Sequence, residues 1–292
     1  MKIILSRKGF DSSAGRVPNP ILPDGTLLSF PIPDTSQTSK IRYEDIRVNG
    51  ESIGKIVEDL TNHKITRRHF AHLDPDLNTS AYRRSAGWRP LFGPGGPAQT
   101  HLQTNGVAVG NLFLFFGWFR QTEIVAGKYG FVKSAPDRHI IFGWLQVGAI
   151  VSREKDVLLS WAKYHHHFQD PDLPPVVYIS RATLDLDGVN RNVTGGGAFE
   201  KYQKELCLTC SSQPKRSVWK LPQWFYPFYR HARGERRPPL SHHRDRRRWK
   251  LEKGHAILQS VGRGQEFVLE AEKYPQAITW VRDLIALEKR RR

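Results

Sequence analysis

The run Leu112-Phe113-Leu114-Phe115-Phe116-Gly117-Trp118-Phe119-Arg120 constrains the fold of this chain more than any other feature. It is far shorter than the roughly 18 apolar residues of a membrane helix, and too aromatic to lie in water, so it reads as a fully buried strand. A second run follows at Ile140-Ile141-Phe142-Gly143-Trp144-Leu145-Gln146-Val147. Each carries a Gly-Trp pair inside the strand, where glycine marks a bulge or a bend. Further strands are expected at residues 2–6, 176–180 and 267–270. A terminal helix over 277–288 places Ile278, Trp280, Val281, Leu284 and Ile285 on one face. The expected architecture is α+β: a strongly bent, largely antiparallel mixed sheet or small barrel, with peripheral helices, long loops and a C-terminal amphipathic helix. Prolines and glycines punctuate residues 18–33, with a hairpin turn at Asp24-Gly25. A helix begins at Gly54, residues 88–98 form a Gly/Pro loop, and 99–106 form a helical turn. No repeat or clean linker divides the chain, so residues 1–292 are read as one domain with a basic portion at 201–292.

The 292 residues hold 45 Lys+Arg against 28 Asp+Glu, a formal charge of +17. That balance excludes an ordinary near-neutral enzyme, and its distribution matters more than its sum. Residues 201–292 contribute +13 of it, with ten basic residues between Arg230 and Lys253 interleaved with His231, His242, His243 and Trp249, and Tyr229 just before them. Guanidinium groups bind phosphate bidentately while His and Trp offer faces for bases, so DNA or a nucleotide is the expected partner. Arg244, Arg246, Arg247 and Arg248 are the expected phosphate contacts, against the alternative of a solvated basic loop. The Pro238-Pro239 break and the lack of an apolar stripe argue against a membrane surface. The short apolar run at the N-terminus does not make a signal peptide, and two Cys do not make a disulfide framework, so a cytoplasmic location is expected.

Several candidate chemistries can be weighed from spacing. Cys207-Leu208-Thr209-Cys210 lacks a second ligand pair for zinc. His165-His166-His167 would alternate faces on an extended segment, which favours a loop at the mouth of a site over a metal cage. Gly195-Gly196-Gly197 is no phosphate-binding loop of the Walker type. Stronger is His72-Leu73-Asp74-Pro75-Asp76 with Gln99-Thr100-His101: carboxylates two residues apart can face one metal ion or one acid/base task, although Asp-Pro-Asp also serves ordinary turns. Arg7-Lys8-Gly9-Phe10-Asp11-Ser12 sets basic groups and an acid at a strand end, as a phosphate or nucleotide contact or as a surface ion pair. No residue is assigned as a metal ligand, and the cofactor is left open.

MKIILSRKGFDSSAG at residues 1–15, PNPILPDGTLLSFPIPD at 18–34, AHLDPDL at 71–77, QTHL at 99–102, GNLFLFFGWFR at 110–120 and GQEFVLE at 264–270 resemble the nucleotide modification associated domain family, third type. The resemblance implies proteins of bacteria and phages linked to DNA base modification and restriction. It places Arg7, Lys8 and Asp11 in the N-terminal motif, His72, Asp74 and Asp76 in the second, and Gln99 and His101 in the third. Arg120 follows the aromatic strand, and His165 to His167 fall in a histidine block. Asn111 and Val176 depart from the family's pattern, so neither is assigned a catalytic role. The paired aromatic strands also resemble PUA-like barrels, which hold a flipped or modified base. Together these imply an enzyme acting on a modified base or nucleotide, with Asp11, Asp74, Asp76, Gln99 and His101 as its polar groups and Arg7, Lys8 and Arg120 among its nucleic-acid contacts. The alternatives are a non-catalytic reader of modified bases using Trp118 or Trp144, and a metal-dependent nuclease.

Overall fold

The computed structural model describes residues 1–152, 160–173, 176–186, 193–228, 238–262 and 264–288. Its strands, in chain order, are β1 (Lys2–Arg7), β2 (Asn19–Ile21), β3 (Ile32–Pro33), β4 (Arg47–Val48), β5 (Glu51–Ser52), β6 (Ala71–His72), β7 (Leu91–Phe92), β8 (Leu112–Val125), β9 (Lys128–Phe131), β10 (Arg138–Ser152), β11 (Val176–Ser180), β12 (Gly196–Ala198), β13 (Val218–Pro222), β14 (Trp249–Glu252), β15 (His255–Gln259) and β16 (Glu266–Glu270). The helices are α1 (Gly54–Leu60), α2 (Gly96–Thr104), α3 (His166–Gln169) and α4 (Gln276–Ala286).

The two aromatic runs become β8 and β10, which pair antiparallel from Phe119↔Arg138 to Leu112↔Gln146. Successive side chains of a strand point to opposite faces, and in β8 both faces are buried from Leu112 to Phe116. Phe113 and Phe115 meet Phe92 on one face. Phe116 meets His139, Trp219 and Phe267 on the other. A sheet buried on both faces needs a continuous apolar run rather than an alternating one, which is what the sequence supplies.

Around this pair grows a nine-stranded mixed sheet with the order β16-β1-β8-β10-β11-β7; β2 and β9 also pair with β8, and β12 pairs with β10. β1 runs parallel to β8 and antiparallel to β16. The barrel alternative is corrected: among the described residues no pairing closes β16 onto β7. Each edge is occupied by irregular chain instead, Ser241 bonding Val268 at one and Asp76 bridging Leu91 at the other. The expected glycine irregularity is present in β10, where the register shifts between Ile141 and Gly143. In β8, Gly117 serves a close approach: a Cβ there would lie 2.8 Å from the Lys8 carbonyl oxygen.

A three-stranded sheet, β13-β15-β14, was not anticipated from sequence. It packs Trp219 and His243 onto Phe267. This overturns the reading of His243 and Trp249 as open faces for bases. His243 is buried with Nε2 at Ser260 Oγ and Nδ1 at the Ser241 carbonyl, and the buried Trp249 donates from Nε1 to the His243 carbonyl. Trp144 is also core, its Nε1 donating to the Thr194 carbonyl. The 99–106 turn is the end of α2, which starts earlier, at Gly96. The terminal helix buries Ala277, Val281, Leu284 and Ile285, as its pattern required. No helix among the described residues is long and apolar enough to cross a membrane. Tyr229, Arg230 and His231, the first part of the basic segment, lie outside the described residues.

Burial pushes His243 down to about 4 and His139 well below its ordinary value, the latter helped by the charges of Arg7 and Arg216. The unfolded chain therefore takes up protons first. The contribution of these two groups to stability is complete above pH 6.5 and is lost as the pH falls from 6.5 toward 4. A urea midpoint that declines steadily over that window, with a shallower decline in His243→Gln, is the expected result; a flat profile contradicts it.

Candidate functional site

His72 ends β6, whose partner β3 places Ile32 opposite it. Two residues on, Asp74 returns to the same side of the extended chain, and a cis Asp74–Pro75 bond follows. The backbone N–H of Gly93, just past β7, donates to Asp74 Oδ1 at 2.8 Å, and His165 Nε2 lies 3.3 Å from the same oxygen. Both contacts use Oδ1, so Oδ2 is the oxygen available to a cation. Gly93 must be glycine for this packing, since a Cβ there would sit 2.4 Å from the His167 ring. One ligand atom each from His72, Asp74 and His167 lie within 4.8 Å of one another, the arrangement of a metal-binding triad. His72 Nε2 is buried and has no hydrogen-bond partner.

The histidine run is therefore not a loop at a site mouth. His166 and His167 open α3, and all three histidines are buried. They divide as the sequence argument against one shared ion required: His167 joins the triad, His165 touches Asp74, and His166 turns to Asp34 at 3.8 Å and Asp170 at 3.6 Å. The His72 ring packs 4.1 Å from that of His166. Burial pushes His72 down to about 3, with the neighbouring histidines adding to the effect against the pull of Asp74. Burial works to raise the Asp74 carboxyl, but the approach of His165 Nε2 to Oδ1 and the neighbouring His72 and His167 imidazoles hold it at about 2. A neutral imidazole beside an ionised carboxylate is the protonation state that metal ligation requires.

Asp76 is committed elsewhere. Arg84 grips both its oxygens at 2.6 Å, Tyr164 donates to Oδ2 at 2.5 Å, and Trp88 donates to the Tyr164 hydroxyl at 2.7 Å. Arg84 also lies 4.0 Å over the Trp88 ring. Asp11 Oδ1 caps a turn through the Ser13 and Ala14 N–H groups. Gln99 accepts from the Tyr178 hydroxyl, and His101 meets Ser241 Oγ at 3.0 Å while stacking on His242. None of these four belongs to the triad. Lys8 forms a largely buried ion pair with Glu266 at 2.6 Å and lies 4.8 Å from the Phe92 ring. Arg120 pairs with Asp137 at 3.0 Å, and Arg7 donates to the carbonyls of Val261 and Gly262. Arg244 and Arg246 line a cavity of about 330 Å³; Arg247 pairs with Asp245, and Arg248 donates to the Gln259 carbonyl. Sequence reasoning missed His167 as a partner of His72, and also Gly93 and Arg84. Only the histidine block at 165–167 hinted at the first.

Against this geometry, the family model for nucleotide modification associated domain 3 matches residues 2–270. The chain belongs to that family. The match spans β1 through β16, so the nucleotide modification associated domain contains the triad, the nine-stranded sheet and the smaller sheet together. No curated protein and no solved structure matches the chain.

The Asp76–Arg84 pair is buried at the edge of the domain's sheet, with side-chain exposures of 1% and 10%. Arg84→Met should cost about 3–5 kcal/mol in urea unfolding, because it leaves a buried carboxylate unpaired, and adding Asp76→Asn should restore part of the loss. Equal stability of wild type and Arg84→Met contradicts this.

Proposed function

We propose that this chain is an enzyme acting on a nucleotide or a DNA base, with a divalent transition-metal ion held by His72, Asp74 and His167. The carrying observation is the buried, unpartnered Nε2 of His72, a residue that brings one ligand atom within 4.8 Å of one each from Asp74 and His167. A buried polar atom without a partner is costly, and a metal ion relieves that cost as a hydrogen bond would. Two imidazole nitrogens and one carboxylate oxygen suit zinc or iron(II) and leave coordination positions open for water or substrate. When bound, the ion supplies Lewis acidity or a more acidic coordinated water.

The chain's own residues do the rest. The Gly93 N–H and His165 fix the Asp74 carboxylate through Oδ1 and turn Oδ2 toward the ion. Outer partners of this kind orient ligands and raise their basicity. His166, anchored between Asp34 and Asp170, packs on the His72 ring and holds its plane. In this reading Asp74 keeps its place in the site, whereas Asp76, through Arg84 and Tyr164, positions the segment that carries it. The family's description supports a nucleotide or modified base as substrate. The exposed Arg244, Arg246 and Arg247 are the surface that would hold a phosphate backbone.

Purified protein is expected to take up about one equivalent of zinc or iron(II) by elemental analysis and calorimetry. His72→Ala and Asp74→Asn should abolish uptake, and His165→Ala should weaken it by about 10–100-fold. Unchanged uptake in folded His72→Ala and Asp74→Asn would refute the site, and retained turnover on modified DNA in those variants would refute its role. Neutralising Arg244, Arg246, Arg247 and Arg248 together should weaken DNA binding and flatten its dependence on salt, because fewer counterions are released. An unaltered salt slope would return these arginines to a solvated surface.

A further inference from the structure

A polar concavity lies on the other face of the sheet from the triad and shares no residue with it. It has a volume of about 570 Å³ and is bounded by Arg7, Asp11, Trp118, His139, Lys215 and Arg216. The size is that of sites which enclose small ligands. Arg7 ends β1, Trp118 lies in β8 and His139 in β10, and loops at 10–13, 214–217 and 261–262 complete the walls.

The groups facing this space are donors short of acceptors. Arg7 is half-buried, its guanidinium 5.8 Å from the rings of both Phe116 and Phe267. Its terminal nitrogens donate to two neutral carbonyls, those of Gly262 at 2.9 Å and Val261 at 3.0 Å. Its Nε is buried without a partner, and no carboxylate lies within ion-pair distance of it among the described residues. Trp118 Nε1 is likewise buried without a partner. His139 accepts from Trp219 Nε1 at 2.9 Å through Nδ1, which leaves its proton on Nε2. Arg216 lies 4.2 Å over the Trp118 ring. The acids present are largely occupied: Asp11 Oδ1 caps its own turn, and Asp137 is shared between Arg120 at 3.0 Å and Arg216 at 3.9 Å.

Arg7 Nε and the Trp118 indole N–H, both buried without an acceptor beside a cavity that Lys215 and Arg216 also border, favour an anion with several oxygens. Phosphate answers this better than carboxylate, because its three terminal oxygens can serve Arg7, Trp118 and Arg216 at once. The indole and guanidinium stack offers a platform for a ring carried by the same molecule. We infer that this cavity binds the phosphate monoester of a nucleotide, either a free nucleoside monophosphate or the 5′-phosphorylated end of a strand. The inference stands on residues apart from the metal triad, so either can fail without the other.

The test is calorimetry and tryptophan fluorescence on the full chain. The probes are inorganic phosphate, deoxyadenosine 5′-monophosphate, deoxyadenosine, and one oligonucleotide with and without a 5′-phosphate. The monophosphate is expected to bind more tightly than inorganic phosphate, and deoxyadenosine to show no binding. Arg7→Gln should weaken binding by at least about tenfold, as expected for a lost charged hydrogen bond. Trp118→Phe, which keeps a ring but removes the N–H, should weaken it several-fold with an unchanged circular dichroism spectrum. Binding of the 5′-phosphorylated strand alone, sensitive to the same variants, supports the site with a strand end as its source. If Arg7→Gln does not fold, Trp118→Phe and the more exposed Arg216→Gln decide. Absence of binding by every phosphorylated probe at millimolar concentration overturns the inference, and so does binding that none of the folded variants alters.

Discussion

The pairing of β8 with β10 is the constraint on which the rest of the molecule depends. Their 14 and 15 residues form the longest ladder in the structure, and burial on both faces of β8 forces the remaining chain to cover two sides of one sheet. Phe113 and Phe115 recruit Phe92 and Tyr178 on one side, and Phe116 recruits Trp219 and Phe267 on the other. Each fully buried aromatic removes some 150–250 Å² from water, so these contacts outweigh any single polar interaction nearby. The histidine cluster and the Arg7 cavity are therefore places where the chain covering each face departs from pure packing.

Phe92 and Gly93 show how that departure is built. Phe92 belongs to the aromatic layer, and the next residue donates its N–H to Asp74 and makes room for the His167 ring. One step along the backbone thus passes from the apolar core to the histidine cluster, and the rigidity of the first positions the second. The Lys8–Glu266 pair sits beside the same ring at the opposite flank. Its burial makes it a poor phosphate ligand despite its place in a basic motif, since separating it would strand Glu266 uncompensated.

What could be read in the sequence follows from range. Continuous apolar runs and the 3.6-residue stripe of the last helix announce themselves within a dozen residues, so β11 and α4 were legible nearly to their ends, while β8 and β10 were legible over 112–120 and 140–147 but not in the more polar stretches that reach Val125 and Ser152. The smaller sheet was hidden because β14 carries only Trp249 inward, among charged residues that read as a solvated segment. Burial of His243 was hidden for the same reason: its shell comes from Ser241, Ser260 and Phe267, which no local pattern joins to it. The two carboxylates of the Asp-Pro-Asp segment were read as a pair facing one task, and their division was not legible, because it depends on Arg84 and Tyr164 claiming one and on Gly93 and His165 claiming the other. A ligand set split between residues 72–74 and 167 needs the fold to close it.

The faces of the sheet also give the uneven charge a location. Trp219 and His243 of the basic portion pack against Phe116 and Phe267, on the face that carries Arg7 and Trp118, whereas the triad lies beyond Phe92 on the face of Phe113 and Phe115. Of the described basic residues in 201–292, Arg216 lies over the Trp118 ring, on the side away from the histidines. One small molecule does not reach both the histidine cluster and the Arg7 cavity through the packed aromatic sheet. The two faces meet at the β16 edge, where Ser241, bonded to Val268, also receives His101 from α2. A ligand that engages both faces must pass around an edge, and at the β16 edge that path runs beside Arg244 and along α2 toward Gly93.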